Sequence, residues 1–181
     1  MKAFKSTRNL AIMGVLAAMS VILIFMIHFP IIPAASFLEY EPGDIPLYLI
    51  GFLFGPLSGL IVTIIVCILQ GITVSGASGI IGILMHIFAT GSFVLVAGLI
   101  YKVKKNRTWM VIGLFAGVVV MTVTMCLWNL IFTPIFMNVP REAVVQMLIP
   151  AIIPFNLIKA GVNSVVTLLL FETVMRIFKT K

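Results

Sequence analysis

Hydrophobic residues run continuously along this chain instead of alternating with polar ones. No charged residue occurs in residues 9–38, 45–101 or 108–140. Between residues 143 and 171 the single charge is Lys159. Each window can hold at least one helix of the ~20 residues that cross a bilayer. Because the runs are unbroken, they also lack the alternation of an outer-membrane barrel. The pattern therefore predicts an all-α membrane protein.

The placement of charge predicts six spans. Ten of the twelve Lys and Arg residues lie in three clusters, at residues 2–8, 102–107 and 176–181. Since positively charged loops stay in the cytoplasm, all three clusters belong on the same side, so an even number of spans must separate them. Gly55 and Pro56 break the apolar segment around them into two helices, which gives the required four spans before the second cluster. The predicted spans are residues 9–29, 45–54, 57–71, 80–101, 109–132 and 148–177, in a single membrane domain over residues 1–181 with both termini cytoplasmic.

The second span is too short to cross the bilayer upright, because a helix rises ~1.5 Å per residue. Its outer end is expected to lie beneath the first external loop, HFPIIPAASFLEYEPGD, here named loop 1. Asp44 is predicted to cap this helix, with Pro46 in its first turn. Loop 1 is therefore expected to cover the outer end of this helix.

Composition agrees with a membrane protein. The 181 residues are 62% hydrophobic and 9% charged, with a mean hydropathy of +1.26, and no soluble domain could bury so much apolar surface.

The basic N-terminus and the apolar run after it are interpreted as a retained first span, since no cleavage site for a signal peptide is evident. The net charge of +7 lies at span ends, which indicates a role in topology and excludes nucleic acid as a partner. Cys67 and Cys126 have no CxxC spacing and are interpreted as buried thiols, with no metal site.

Polar residues within the sixth span mark a candidate site. Asn156, Lys159 and Asn163 have i, i+3, i+7 spacing, so they share one helical face. A lysine near the membrane centre costs ~2.5–3.5 kcal/mol on insertion scales. No acidic residue is expected at the depth of Lys159, so this cation is predicted to contact a ligand and not to form a structural ion pair.

Spans four and five carry further polar residues in the same outer half. Asn129 and Trp128 lie on the fifth span, and His86 lies on the fourth. The simplest common purpose is a polar pocket that opens to the exterior. Each asparagine, taken singly, is as well explained by hydrogen bonding between helices, and this applies most to Asn163. His86 is interpreted as a core histidine, because no carboxylate partner is expected near it.

Small residues on the first span permit a close approach of another helix. Ala11, Gly14 and Ala18 contribute to this face, and Gly14 and Ala18 have small-xxx-small spacing. Two interpretations stay open. The face packs within the monomer, or it docks a partner membrane protein.

Three segments resemble a known family. FLEYEPGDIPLYLIGFLFGPLSGLIVTIIV, SGASGIIGILMHIFATGSFVLVAGLIYK and PFNLIKAGVNS are similar to the S components of energy-coupling factor (ECF) vitamin transporters. NLIK and the Trp128-Asn129 pair point to the riboflavin branch. The similarity extends from the region of Arg8 to Phe171, and it implies six helices in a bacterial plasma membrane with cytoplasmic termini.

The resemblance also implies a function. The chain would bind riboflavin, with flavin mononucleotide as an alternative ligand, and would be neither an enzyme nor the holder of a cofactor. Its partners would be a membrane-embedded T component, docked through Ala11, Gly14 and Ala18, and two ATP-binding cassette ATPases. The chain has no GxxxxGK[ST] phosphate loop, as expected if those partners hydrolyse ATP.

Asn129, Asn156 and Lys159 are implied to hydrogen-bond the flavin ring, since amides and an ammonium suit a flat, acceptor-rich heterocycle. Met, Trp and Phe side chains can pack on its faces, and the two external loops would close over it. The packing residues are Met85, Trp128 and Phe155, and the loop residues are Leu38, Glu39, Tyr40, Ser75, Gly76 and Ala77.

Other functions stay open on the residues alone. An S component for another vitamin is one alternative, and Lys159 as a counter-ion would favour an anionic ligand. A stand-alone secondary transporter is a second, although a proton-coupled carrier needs a titratable acid at mid-depth and none is expected there. The absence of HExxH, GxSxG and a pair of intramembrane Asp residues argues against an intramembrane enzyme.

Overall fold

A computed structural model of the chain describes Phe4, residues 6–74 and residues 79–179. Ser75, Gly76 and Ala77, predicted as loop residues of the site, lie outside the described residues. The elements are α1 (Thr7–Met26), β1 (Phe29–Pro30), a 3-10 turn (Pro33–Ala35), β2 (Glu39–Tyr40), α2 (Asp44–Phe54), α3 (Pro56–Thr73), α4 (Gly79–Lys104), α5 (Arg107–Met137), α6 (Arg141–Met147), a π-helical turn (Leu148–Ile152) and α7 (Ile153–Lys179).

The six predicted spans are confirmed. In the described residues, α1, α3, α4, α5 and the unit from α6 to α7 are each long and apolar enough to cross a membrane, and α2 is a shorter apolar helix. The sixth span differs from the prediction in that α6 and the π-helical turn precede α7. Pro150 and Pro154 lie in and just after that turn, and because proline has no backbone N–H, a regular α-helix is interrupted there.

The short helix α2 lies at the centre of the bundle. Its residues from Asp44 to Phe52 are all buried, as expected for a helix that is apolar on every side. Tyr48 stacks on Phe93 of α4 with the ring centroids 3.7 Å apart, and its hydroxyl donates to the sulfur of Met121 on α5 at 3.6 Å. The Tyr48 side chain therefore joins α2 to both α4 and α5.

A glycine forms the turn between α2 and α3. Gly55 has a φ of 98°, a left-handed conformation that costs glycine little and other residues more. Pro56 then opens α3, where its fixed φ suits the first turn of a helix. The predicted break at these two residues is confirmed.

Loop 1 folds onto the end of the bundle where α1 ends and α2 begins. Phe29 pairs with Tyr40 and Pro30 with Glu39 in a short antiparallel ladder. Leu38 packs in a buried cluster with Val144 of α6 and with residues at the start of α7. The loop is thus an ordered cover, attached to the irregular part of the sixth span.

The predicted capping role of Asp44 is wrong. Gly43 occupies the N-cap position of α2 and Asp44 is the first helical residue, with no side-chain capping bond at this end. The backbone of Gly43 instead accepts a hydrogen bond from the Ser20 hydroxyl of α1 at 2.6 Å. The Asp44 carboxylate is consequently directed to partners on other helices.

The small residues of α1 face outward. Ala11, Gly14 and Ala18 are exposed, whereas Met13 and Leu16 are buried on the opposite face. A Cβ added at Gly14 would meet no described atom within 4 Å. Within the described part of the chain, this face is not used for packing inside the monomer.

Replacing Gly59 by alanine tests how closely α2, α3 and α4 pack. An added Cβ at Gly59 would overlap Cγ1 of Val94 and would lie 2.8 Å from Cα of Gly51. We expect Gly59→Ala to lower the free energy of unfolding by about 1–3 kcal/mol, the usual effect of overpacking, measured by thermal unfolding in detergent. Gly14→Ala is the matched control and should leave the melting temperature unchanged or slightly raised, because alanine favours helix. Equal melting temperatures for the two variants would contradict the close packing.

Candidate functional site

Lys159 of α7 forms a buried ion pair with Glu41 of loop 1. Its Nζ lies 3.0 Å from Oε1 of Glu41 and 3.9 Å from Oδ2 of Asp44. All three side chains are buried. A buried cation costs several kcal/mol of desolvation unless it is paired and hydrogen-bonded, and Glu41 supplies both the charge and the hydrogen bond.

The Glu41 carboxylate also joins two further helices to the loop. Its Oε1 lies 3.0 Å from Nε2 of His86 on α4, and its Oε2 accepts a hydrogen bond from the Gln70 side chain on α3 at 3.0 Å. One loop carboxylate therefore contacts α3, α4 and α7, which fixes loop 1 against the bundle.

Asn163 holds the same loop one turn deeper. Its Nδ2 donates to the backbone oxygen of Glu41 at 3.1 Å and lies 3.5 Å from Oδ2 of Asp44. Its Oδ1 accepts from the hydroxyl of Tyr40 at 3.0 Å. Asp44 in turn accepts from Thr90 of α4 at 2.7 Å. The interpretation of Asn163 as a structural residue fits this geometry, although its partners are loop 1 and the start of α2.

Two asparagines are oriented by their own helices. The Asn129 amide donates to the backbone oxygen of Met125 at 2.7 Å, while its Oδ1 accepts from Thr133 at 2.8 Å. The Asn156 amide donates to the backbone oxygen of Ile152 at 2.8 Å. Because two hydrogen bonds restrict the side chain of Asn129 and one restricts that of Asn156, the remaining polar sites of both residues have defined directions.

A cavity of about 130 Å³ lies between loop 1, α4, α5 and α7. Seven of the predicted site residues line it. They are Leu38, Glu39, Met85, Asn129, Phe155, Asn156 and Lys159. The arrangement offers amide donors and acceptors, an ammonium, an imidazole, a hydroxyl and two carboxylates among apolar side chains, which suits a flat polar heterocycle.

Two predicted site residues lie elsewhere. The Trp128 indole stacks on Phe88 at 4.1 Å and on Phe132 at 5.0 Å between ring centroids, and it lies outside the cavity lining. Tyr40 also lies outside the lining and contacts Asn163 instead. Trp128 thus directly precedes Asn129 in α5 without sharing its side of the helix.

Three expectations about charge are wrong. An acidic partner does exist for Lys159, and the same Glu41 carboxylate contacts His86, which therefore has a carboxylate nearby. Glu41 and Asp44 also bring acidic groups to the depth of Lys159, so the argument against a proton-coupled carrier loses its premise. These expectations fail because loop 1 enters the bundle, whereas the sequence pattern predicts that its acidic residues lie outside the membrane.

Gln70 and Glu41 were missed as residues of this cluster. Glu41 lies in the run EYEPGD, the chain's densest group of acidic residues, and the deep Lys159 needs a counter-charge. Together these two facts are a signal for pairing. No comparable feature of the sequence identifies Gln70, because its hydrogen bond depends on the position of Glu41 in the folded protein.

The ion pair changes the titration of the loop carboxylate. Burial raises the pKa of Glu41, but the charges of Lys159 and His86, with the hydrogen bonds from Lys159 and Gln70, outweigh burial and hold the pKa below its usual value. The pKa of Tyr40 is raised, by burial and by the charge of Asp44. Glu41 therefore stays ionised at neutral pH.

Comparisons with known proteins agree on one family. A family model described as "ECF transporter, substrate-specific component" matches residues 8–171. The riboflavin transporter RibU of Streptococcus thermophilus is 31% identical over 176 residues, covering 92% of this chain and 82% of the relative. RibU of Staphylococcus aureus is 29% identical and covers 97% and 94%, and the riboflavin transporter FmnP of Bacillus subtilis is 26% identical and covers 91% and 90%.

A solved structure has the same fold. It is described as the S component of a bacterial ECF transporter and is similar to this chain with a TM-score of 0.80 at 30% identity, covering 94% of this chain and 96% of the other. The fold match thus extends over nearly the whole chain.

Replacing Glu41 by glutamine tests the ion pair. A carboxyl with a lowered pKa in the folded protein adds stability above its unfolded-state pKa, and this stability is lost as pH falls through the lowered value. We expect Glu41→Gln to lower stability at neutral pH by about 1.5–3 kcal/mol, the range for a hydrogen bond to a charged group. Its melting temperature should also fall less than that of the unmodified protein on acidification.

The matched control is Glu39→Gln, two residues before Glu41 in loop 1, where the side chain is exposed. This variant should have the stability and the acid profile of the unmodified protein, measured by thermal unfolding across the acidic range. Parallel acid profiles for Glu41→Gln and the unmodified protein would contradict the assigned role of Glu41.

Proposed function

The chain belongs to the substrate-specific components of ECF transporters, and from this membership we propose that it captures riboflavin at the outer end of its bundle for uptake into the cell. It is a multi-pass protein of a bacterial plasma membrane, and it is a transport component and not an enzyme. Its small-molecule ligand is thus a transported substrate and not a cofactor.

The observation that carries the proposal is the composition of the cavity wall. Asn129, Asn156 and Lys159 converge on one space with Met85 and Phe155 beside them. Amides can pair with the alternating donors and acceptors of a flavin ring, and the ammonium is a strong donor to a ring carbonyl. The sulfur and the phenyl ring are suited to pack on the ring faces.

The charge balance of the site favours a neutral ligand. Glu41 neutralises Lys159 at 3.0 Å, and Asp44 is 3.9 Å away. An anionic vitamin would add negative charge beside two carboxylates, whereas the uncharged isoalloxazine of riboflavin would not. Because the phosphate of flavin mononucleotide is anionic, riboflavin should bind more tightly than flavin mononucleotide.

Binding requires loop 1 to move. The cavity of about 130 Å³ is smaller than the ~300–1,000 Å³ typical of small-molecule sites. Loop 1 carries Leu38, Glu39 and Glu41 on one wall, so an outward shift of this loop would enlarge the cavity. Glu41 would then share Lys159 with the ligand or release it.

Orientation and partners follow from the ends of the helices. The positive-inside rule places the basic ends in the cytoplasm, which puts loop 1 and the cavity outside. The outward face of α1, with Ala11, Gly14 and Ala18, is proposed to dock a membrane-embedded T component driven by two ATP-binding cassette ATPases. Reorientation of the bundle on that module would deliver the ligand to the cytoplasm.

Flavin fluorescence tests the binding proposal. We expect the detergent-purified protein to quench added riboflavin in a saturable manner, and Lys159→Met to weaken binding by roughly tenfold or more through loss of a charge-assisted hydrogen bond. Lys102→Met is the control, since Lys102 is an exposed lysine in the last turn of α4, and it should bind as the unmodified protein does.

Absence of saturable quenching by the folded, unmodified protein would reject riboflavin as the ligand. Full affinity in Lys159→Met, with quenching intact, would instead assign Lys159 a structural role with Glu41. Thermal unfolding of each variant shows whether a loss of binding reflects a loss of fold.

Bulky substitution on α1 tests the docking face. We expect Gly14→Leu to keep the melting temperature and riboflavin binding of the isolated protein, because a side chain there meets open space. Assembly with the T component and ATPases should fall sharply, because the small residues no longer permit close helix approach. Val15→Leu, an exposed site on the same helix, is the control, and co-purification of the complex is the measurement. Equal assembly of both variants would exclude this face.

A further inference from the structure

A second cavity lies at the opposite end of the bundle from the candidate site. It has a volume of about 570 Å³ and lies between the α4–α5 connection and the last turns of α7. We name it the basal groove. Its floor is apolar and includes Tyr101, Met110 and Phe171, which are buried. The proposed riboflavin site makes no use of this cavity.

The rim of the basal groove is cationic. Lys105, Arg107 and Arg176 line it, against the single carboxylate of Glu172. Asn106 caps α5 by accepting from the backbone N–H of Trp109 at 2.9 Å, so the N-terminus of a 31-residue helix opens beside these cations. Cations and a helix N-terminus together form a favourable environment for an anion.

Arg107 and Glu172 form an exposed ion pair that can change partners easily. Arg107 Nη1 lies 3.4 Å from Oε1 of Glu172, and the two side chains are 73% and 60% exposed. Exposed ion pairs of this kind contribute little to stability, whereas a guanidinium binds a phosphate with two parallel hydrogen bonds. A phosphate can therefore displace Glu172 from Arg107.

The groove lies at the level of the membrane interface. Trp109, a residue type enriched at that level, is in the first turn of α5, and Lys104 Nζ lies 5.5 Å from its ring centroid. The basic residues assign this end to the cytoplasmic leaflet, whose anionic lipids attract such clusters. An apolar floor beneath a cationic rim matches a lipid, which has acyl chains below an anionic headgroup.

We propose that the basal groove binds the phosphate-bearing headgroup of an anionic phospholipid. Arg107 and Arg176 contact the phosphate, Lys105 adds charge at the rim, and the acyl chains lie along the apolar floor. The site differs from the vitamin site in place and chemistry, so its occupancy does not require riboflavin to be the transported substrate.

Reconstitution with defined lipids tests the proposal. The full chain is placed in phosphatidylcholine bilayers with or without phosphatidylglycerol, and the lipids retained after purification are counted by native mass spectrometry. We expect selective retention of phosphatidylglycerol and a higher melting temperature in its presence. In Arg107→Gln/Arg176→Gln, retention should fall roughly tenfold or more, since each cation contributes at an anionic surface.

The matched control is Lys102→Gln/Lys104→Gln, which removes the same charge from the same end but outside the groove lining. It should keep the retention of the unmodified protein. Glu172→Gln should raise retention, because it removes the competing carboxylate, and it keeps the test decisive if the double arginine variant does not fold.

Three outcomes would overturn the proposal. One is equal retention of phosphatidylglycerol and phosphatidylcholine. The second is equal loss in both double variants, which would indicate general surface attraction. The third is an equal rise in melting temperature with inorganic phosphate in phosphatidylcholine, which would indicate a site for the free anion. Riboflavin quenching, measured on the same samples, separates failure of this proposal from failure of the vitamin assignment.

Discussion

The contact between Glu41 and Lys159 is the interaction on which the loop 1 end of this protein depends. A lysine inside a helical bundle and a glutamate inside a membrane-embedded loop are each costly to desolvate alone. Placed 3.0 Å apart, they offset much of that cost for each other. Loop 1 must therefore enter the bundle, and the positions of α3, α4 and α7 around the carboxylate follow from this requirement.

In the proposed riboflavin site, the same pairing would shape recognition. A ligand that reaches Lys159 must offer an acceptor good enough to share or replace Glu41, so molecules without a suitably placed carbonyl are disfavoured. Asn129 and Asn156 are already oriented by bonds within their own helices, so little side-chain entropy remains to be lost when they bind. Selectivity at the proposed site would thus combine competition for Lys159 with preorganisation of Asn129 and Asn156.

The sequence predicted the helices well and the charge pairing poorly. Continuous apolar windows, the Gly55-Pro56 break and the parity of the basic clusters are local or additive signals, and they were sufficient for six spans. The spacing of Asn156 and Lys159 likewise predicted their shared cavity. The partner of Lys159 is 118 residues away in sequence, in a loop whose path no periodicity describes, so it could not be found from hydropathy.

Trp128 shows a different limit of predicting the site from the sequence. Its neighbour Asn129 lines the cavity, but adjacent residues on a helix point about 100° apart, and the indole joins an aromatic stack with Phe88 and Phe132. Because Trp128 and Asn129 are adjacent in sequence, both were expected to contact the ligand, but their directions on the helix do not support this. The family match extends over both residues and could not separate them.

The shortness of α2 also determines how a solute reaches the site. Its 11 residues rise ~16 Å, about half of the ~30 Å hydrocarbon core, so irregular backbone of loop 1 fills the remaining depth. Lipid cannot hydrogen-bond such backbone, and it is tolerated at this depth only while protein or water surrounds it. For the proposed vitamin site, lateral opening towards the acyl chains would therefore be costly, and displacement of the loop along the membrane normal would be favoured. Solutes would then enter from the aqueous phase.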